Sequence, residues 1–205
     1  MSKNLKIVVS IALAAIILFL GYLVYDSPMS LVRFNRINET RRAAVISHLK
    51  DIREIQKYYR QSNGAYANDF ASLLAFAEEG EIPIVRIIPD PTDSTDTRSI
   101  RDTIGFVSVR DSLFGNREDF NLRDVAIVPY SENVQFELQA GTVDRSGMKV
   151  HVFEAKTLNI NFLTKGMEKY RQEVINLNNT LEQLDKYPGL KVGSLTEIST
   201  DGNWE

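Results

Sequence analysis

There is no cysteine among the 205 residues of this chain. That excludes disulfides, a thiolate nucleophile and any metal site built on thiolates. Histidine is almost as scarce. His48 falls on a helical pattern and His151 on a strand pattern, and neither has a partner one helical turn away. The chain also lacks a phosphate-binding P-loop, a G-x-G-x-x-G turn, a G-x-S-x-G nucleophile elbow and an H-E-x-x-H zinc helix. No carboxylate pair stands out either. The chain is therefore expected not to be an enzyme, and no cofactor is expected.

What is present is a folded chain's composition, 43% hydrophobic and 25% charged, with a net charge of −3. The charge is unevenly spread. Arg33 to Ser62 holds eight Lys/Arg against three acids, whereas the part from Asn63 onward holds 14 against 23. A basic neck carries an acidic head. The neck basics read either as a solvated helix face or as partners for anionic headgroups. Nucleic acid is not an expected partner, because the basic residues are interleaved with acids on an amphipathic helix.

Before the neck lies a run without charge. Ile7 to Tyr25 contains 19 uncharged, mostly apolar residues, a length that at about 1.5 Å per residue nearly matches a hydrocarbon core of roughly 30 Å. Asp26, Ser27 and Pro28 close the run. A cleaved signal peptide is the competing reading, with Lys3 and Lys6 as its basic region; the run exceeds the usual apolar length and offers no convincing small-x-small cut site. The charge rule is close to balanced for orientation. Lys3 and Lys6 oppose Arg33, Arg36, Arg41 and Arg42, with a slight lean towards a cytoplasmic head.

The next pattern is helical, roughly Val32 to Ser62, with Val45, Leu49, Ile52, Ile55 and Tyr59 forming one stripe. Asn63-Gly64 supplies a stop. A shorter helix is expected at 68–79, ended by Gly80. Strands are expected at 82–88 (an edge strand, since it holds Pro83), 103–110, 125–130, 134–140 and 148–155, with a turn at 144–147. A helix is expected over 165–186, with Met167, Tyr170, Val174, Leu177, Leu181 and Leu184 as a heptad-like seam. That seam suits either a coiled-coil partner or the chain's own sheet. A strand at 190–198 ends the pattern, and the tail beyond it is expected to fray. In the acidic loop PDPTDSTD, Asp90, Asp93 and Asp96 could converge on Ca²⁺, but their spacing is not that of a calcium loop, and a solvated loop is the plain reading.

The stretch from Arg41 to Ala77 resembles the pilin and pseudopilin family of type IV pili and type II secretion systems. Ile55, Tyr59, Gly64 and Tyr66 match that family's helix-end pattern, with Leu73 and Leu74 in the following element. The resemblance implies an α+β fold: an N-terminal transmembrane helix continuing into a long amphipathic helix packed on an antiparallel sheet, here with an added C-terminal amphipathic helix. It divides the chain into a tail (1–6), an anchor (7–25), an amphipathic neck (26–62) and a pilin-like head (63–205). It also implies a single-pass bacterial inner-membrane subunit with a periplasmic head. Its partners would be other membrane-anchored subunits of an envelope complex, membrane lipid and, in some assemblies, a second copy of itself. The family's Gly-Phe leader junction and its acidic residue early in the helix are absent, so cleavage by the prepilin peptidase is not expected. Expected partner-contact residues are Leu49, Ile52, Ile55 and Tyr59 on the neck, and Tyr170, Val174, Leu177 and Leu181 on the C-terminal seam; both stripes also suit an internal core. Two alternatives are a bitopic alignment protein dimerising through its helices, and a membrane-tethered ligand-binding or sensory domain.

Overall fold

The computed structural model describes residues 3–89, 99–117 and 120–205. One helix, α1 (Lys3–Asn63), accounts for 61 of these residues and spans about 90 Å. It does not stop at Pro28, where the apolar run was expected to close. A proline removes one rung of the helix ladder, and here the helix continues through it. The anchor and neck patterns are thus one element. Among the described residues no helix is long and apolar enough to cross a membrane. Within the uncharged run, the described side chains are Ile7 and those of 10–22.

The helix ends where the sequence placed its stop. Gly64 takes φ +78, its N–H donates to the Arg60 carbonyl at 2.8 Å, and Asn63 Nδ2 donates to the Tyr59 carbonyl at 3.0 Å. Helix α2 (Phe70–Glu79) then starts on Asp69, whose carboxylate accepts from the Ser72 N–H at 2.8 Å and the Ser72 hydroxyl at 3.0 Å. Its Leu73 and Ala77, one turn apart, are fully buried.

Strands β1 (Glu81–Pro89) and β2 (Ser99–Ser108) pair antiparallel as a separate two-stranded ribbon, which leaves Pro83 at an edge as expected. The expected strand over 103–110 ends at Ser108, whose hydroxyl accepts from the Asp111 N–H and caps helix α3 (Val109–Phe114). The loop bearing Asp90, Asp93 and Asp96 lies outside the described residues. The expected strand at 125–130 is not one. A 3-10 turn occupies Leu122–Ala126, and Ile127 forms only an isolated bridge with Gln135. The physical reason is the spacing: Leu122, Val125 and Val128 recur every third residue, the repeat of a 3-10 turn, and all three are buried.

A three-stranded antiparallel sheet follows in the order β3 (Glu137–Arg145), β4 (Met148–Leu158), β5 (Gly189–Gly193). The hairpin turn is at Ser146-Gly147, both with positive φ, and Gly147 N–H donates to the Asp144 carboxylate at 3.0 Å. The expected strand at 134–140 starts three residues later and runs to Arg145, because Gln135 is held in the bridge to Ile127. Helix α4 (Asn159–Leu163) and a 3-10 turn (Glu168–Tyr170) lead into α5 (Arg171–Gln183). The expected helix over 165–186 is therefore shorter. Gly166 at φ +69 interrupts its start, and Asp185 at φ +52 follows its end. Strand β5 stops at Gly193 instead of running to 198: its φ is +75, and a Cβ there would lie 2.2 Å from the Phe153 carbonyl oxygen. The tail does not fray. Asn203 Nδ2 donates to the Gly189 carbonyl at 3.0 Å, the Asn203 N–H donates to the Lys191 carbonyl, and Trp204 packs against the core.

One core joins these pieces. Val45, Leu49, Ile52 and Ile55 of α1 are all 0% exposed and share the core with Leu73, Phe153, Ala155, Leu190 and Val192. Replacing Ile52 with Ala should lower head stability by about 2–5 kcal/mol, as for other fully buried aliphatics. Leu184→Ala, at a residue 59% exposed, should change it by less than about 0.5 kcal/mol. Denaturant unfolding of the detergent-solubilised chain, followed by Trp204 fluorescence, compares the two.

Candidate functional site: the helix–head junction

The polar contacts of α1 are concentrated where the head sits on it. Gln56 is 0% exposed; its Oε1 accepts from the Ala67 N–H at 2.9 Å and its Nε2 donates to the Ala67 carbonyl at 2.8 Å. This reciprocal pair folds the chain after Gly64 back onto the helix it has just left. Tyr66 is thereby placed with its ring centroid 4.7 Å from that of Phe153, and its hydroxyl accepts from Arg60 at 3.0 Å. The Tyr of the Gly-x-Tyr pattern is a packing residue between α1 and β4.

Asp51, 7% exposed, accepts two hydrogen bonds from Arg117, at 2.8 and 2.9 Å. Planar, two-point pairing of this kind gives both strength and orientation. The Arg117 guanidinium also lies 5.4 Å and 5.2 Å from the ring centroids of Phe114 and Phe120, which stack on each other at 4.0 Å. The hydrogen bond to Asp51 raises the guanidinium's pKa. This link between neck and head carried no sequence signal: its partners are 66 residues apart, and Arg117 lies in no motif.

Two further neck arginines, Arg41 and Arg53, are likewise committed. Arg41 donates to the Phe162 carbonyl at 2.7 Å and the Lys165 carbonyl at 2.9 Å, beneath the Tyr130 ring at 4.9 Å. Arg53 donates to the Glu205 carboxylate at 2.9 Å, and that hydrogen bond holds Glu205 below the ordinary carboxylate range. Three of the eight basic neck residues, Arg41, Arg53 and Arg60, thus hydrogen-bond to the head.

The expected contact residues divide differently from their grouping in the sequence. Leu49, Ile52 and Ile55 are inside the core, and Tyr59 is part-buried, its ring edge-on to Phe76 at 5.2 Å. On the second seam Val174 is 6% exposed, and Tyr170 and Leu177 pack on the same core; Leu181 is half-buried. In both stripes the internal reading describes where the side chains lie. Among the described residues a continuous run of uncovered apolar side chains lies elsewhere: Ile7, Ile11, Leu13, Ile16, Ile17, Leu18, Phe19, Leu20 and Tyr22 of α1 are each at least half exposed.

A groove of about 790 Å³ lies between α2 and the 122–127 turn, with Leu74, Leu122, Phe136 and Leu138 in its lining. Its acids are Asp69, already capping α2, and Glu78. Among the described residues no group of three or more His, Asp or Glu side chains is placed to hold a metal ion. Comparison with models of protein families, with curated proteins and with solved structures found no match.

Two outcomes follow from this junction. Arg117→Met should destabilise the head by about 1–3 kcal/mol, because it leaves a nearly buried carboxylate without its donor; equal unfolding midpoints for the two proteins would contradict it. His48 is held below the ordinary histidine value by burial, against an opposing pull from Asp51. Below pH 6.5 the unfolded chain therefore binds the proton better than the folded one, and stability present above pH 6.5 is lost as pH falls. His48→Gln should reduce the drop in unfolding midpoint between pH 7.5 and pH 5.5.

Proposed function

We propose that this chain is a non-enzymatic structural subunit of a bacterial envelope machine for secretion or pilus-like assembly. It would be held in the inner membrane by the run from Ile7 to Tyr25 and built on a pseudopilin-like plan. The observation that carries the reading is the division of labour along α1. Its C-terminal part is buried beneath an antiparallel sheet through Val45, Leu49, Ile52 and Ile55, while the same helix includes an apolar stretch that none of the described residues covers. A helix that is apolar all round needs either a protein core or a bilayer. The Gly64 turn and the packing of Tyr66 onto β4 also support the pseudopilin-like plan. The alignment-protein alternative relied on a free seam over Tyr170 to Leu184, and the burial of Val174 leaves it less surface to use.

Protease access to a C-terminal tag tests the proposal. The tag should be cut in spheroplasts and protected in intact cells, and the chain should stay with the membrane through an alkaline wash. A tag cut only after lysis would overturn the periplasmic placement, and release by the wash would overturn the anchor.

A further inference from the structure

The lowest part of the head, relative to the proposed anchor, is assembled from residues far away in the sequence. The Tyr170 ring lies 6.1 Å from Phe34, and Arg41 holds the Lys165 carbonyl. The segment 164–171 therefore runs down α1 from the level of Arg41 to that of Phe34. Phe34 is nine residues past Tyr25, or about 14 Å along the helix. Polar headgroups occupy roughly the first 5–8 Å beyond the hydrocarbon, and a Debye length is about 8 Å at physiological salt. Charges at this level are thus within reach of a bilayer surface.

Those charges are mostly positive. Lys165, Lys169 and Arg171 are exposed, as is Arg36, which lies at the same level of α1 on the face turned away from Phe34, and no ion pair among the described residues engages any of the four. The nearby acids are Glu39, Glu168 and Glu173, and the Glu168 carboxylate is turned to accept from the Gly166 N–H at 3.1 Å. This local excess stands out in a head that is acidic as a whole.

We propose that the 164–171 segment and Arg36 form a basic collar that docks the head onto anionic phospholipid headgroups around the anchor, an inference resting on the anchored reading above. Charge complementarity selects the occupant: a zwitterionic surface offers these cations no net charge, whereas each Lys or Arg near an anionic surface gains roughly a five-fold preference. The collar would fix the height and tilt of the head on its single helix.

The absence of cysteine makes a direct test possible. The full chain carrying Thr164→Cys, labelled with a fluorophore, is reconstituted into phosphatidylcholine vesicles with and without phosphatidylglycerol. Quenching by aqueous acrylamide should fall several-fold in the anionic vesicles and recover at high salt. Combining Lys165→Gln, Lys169→Gln and Arg171→Gln should abolish the lipid difference, with the unfolding midpoint unchanged. Equal quenching in both vesicles, with the chain surviving an alkaline wash, would overturn the collar and leave the anchor standing. Release of the chain from both vesicles by the wash would overturn the anchored reading and the collar with it.

Discussion

Burial of one face of α1 is the constraint on which the rest of the fold depends. Val45, Leu49, Ile52 and Ile55 step along the helix by 4, 3 and 3 residues, and all are closed to water. Neither sheet is large enough to form a core alone: one has two strands and the other three. Small sheets of this kind need a hydrophobic face covered by another element. The helix supplies that cover to β4, β5, α2 and the 122–126 turn together, so the head is organised around α1 instead of being appended to it.

The polar contacts refine that arrangement. Gln56 holds the chain reversal after Gly64, Arg117, three residues past α3, reaches Asp51, and Arg41 reaches the carbonyls at the end of α4. Each tie fastens a different part of the head to the helix, at three successive levels. Hydrogen bonds to charged groups contribute about 1.5–3 kcal/mol when well formed, less than the aliphatic stripe supplies. Their directional geometry instead sets which rotation of the head about α1 is allowed. A cluster of arginines that reads as one basic surface in the sequence is dispersed among several internal contacts.

Legibility in the sequence followed the range of the interaction. The α1 stripe, the Gly64 stop, the Asp69-led helix and the Ser146-Gly147 hairpin are local patterns, and each was readable from its own residues. Residues 125–130 suit a strand by composition, but the three-residue spacing of Leu122, Val125 and Val128 prevails and makes a 3-10 turn. The helix over 165–186 was extended too far at both ends, since Gly166 and Asp185 take positive φ while the apolar seam continues across them. Periodicity could not distinguish a seam meant for a partner from one that packs at home; the burial of Val174 shows the second for that residue. The Asp51–Arg117 pair and the 164–171 segment against Phe34 are long-range meetings that no local pattern announces.

The remaining asymmetry concerns the N-terminal half of the same helix. Nine large apolar or aromatic side chains between Ile7 and Tyr22 are exposed in the isolated chain. At about 1.5–3 kcal/mol for each buried side chain, covering nine of them is worth roughly 14–27 kcal/mol, at least as much as the whole stability of an ordinary domain. A surface of that size is not left to water in a folded protein. Among the described residues, the part of α1 that enters the core of the head begins at Phe34. The continuity of α1 through Pro28 then has a mechanical consequence on the anchored reading. A head locked to the helix by its core and by Arg41 would move with the anchor as one lever.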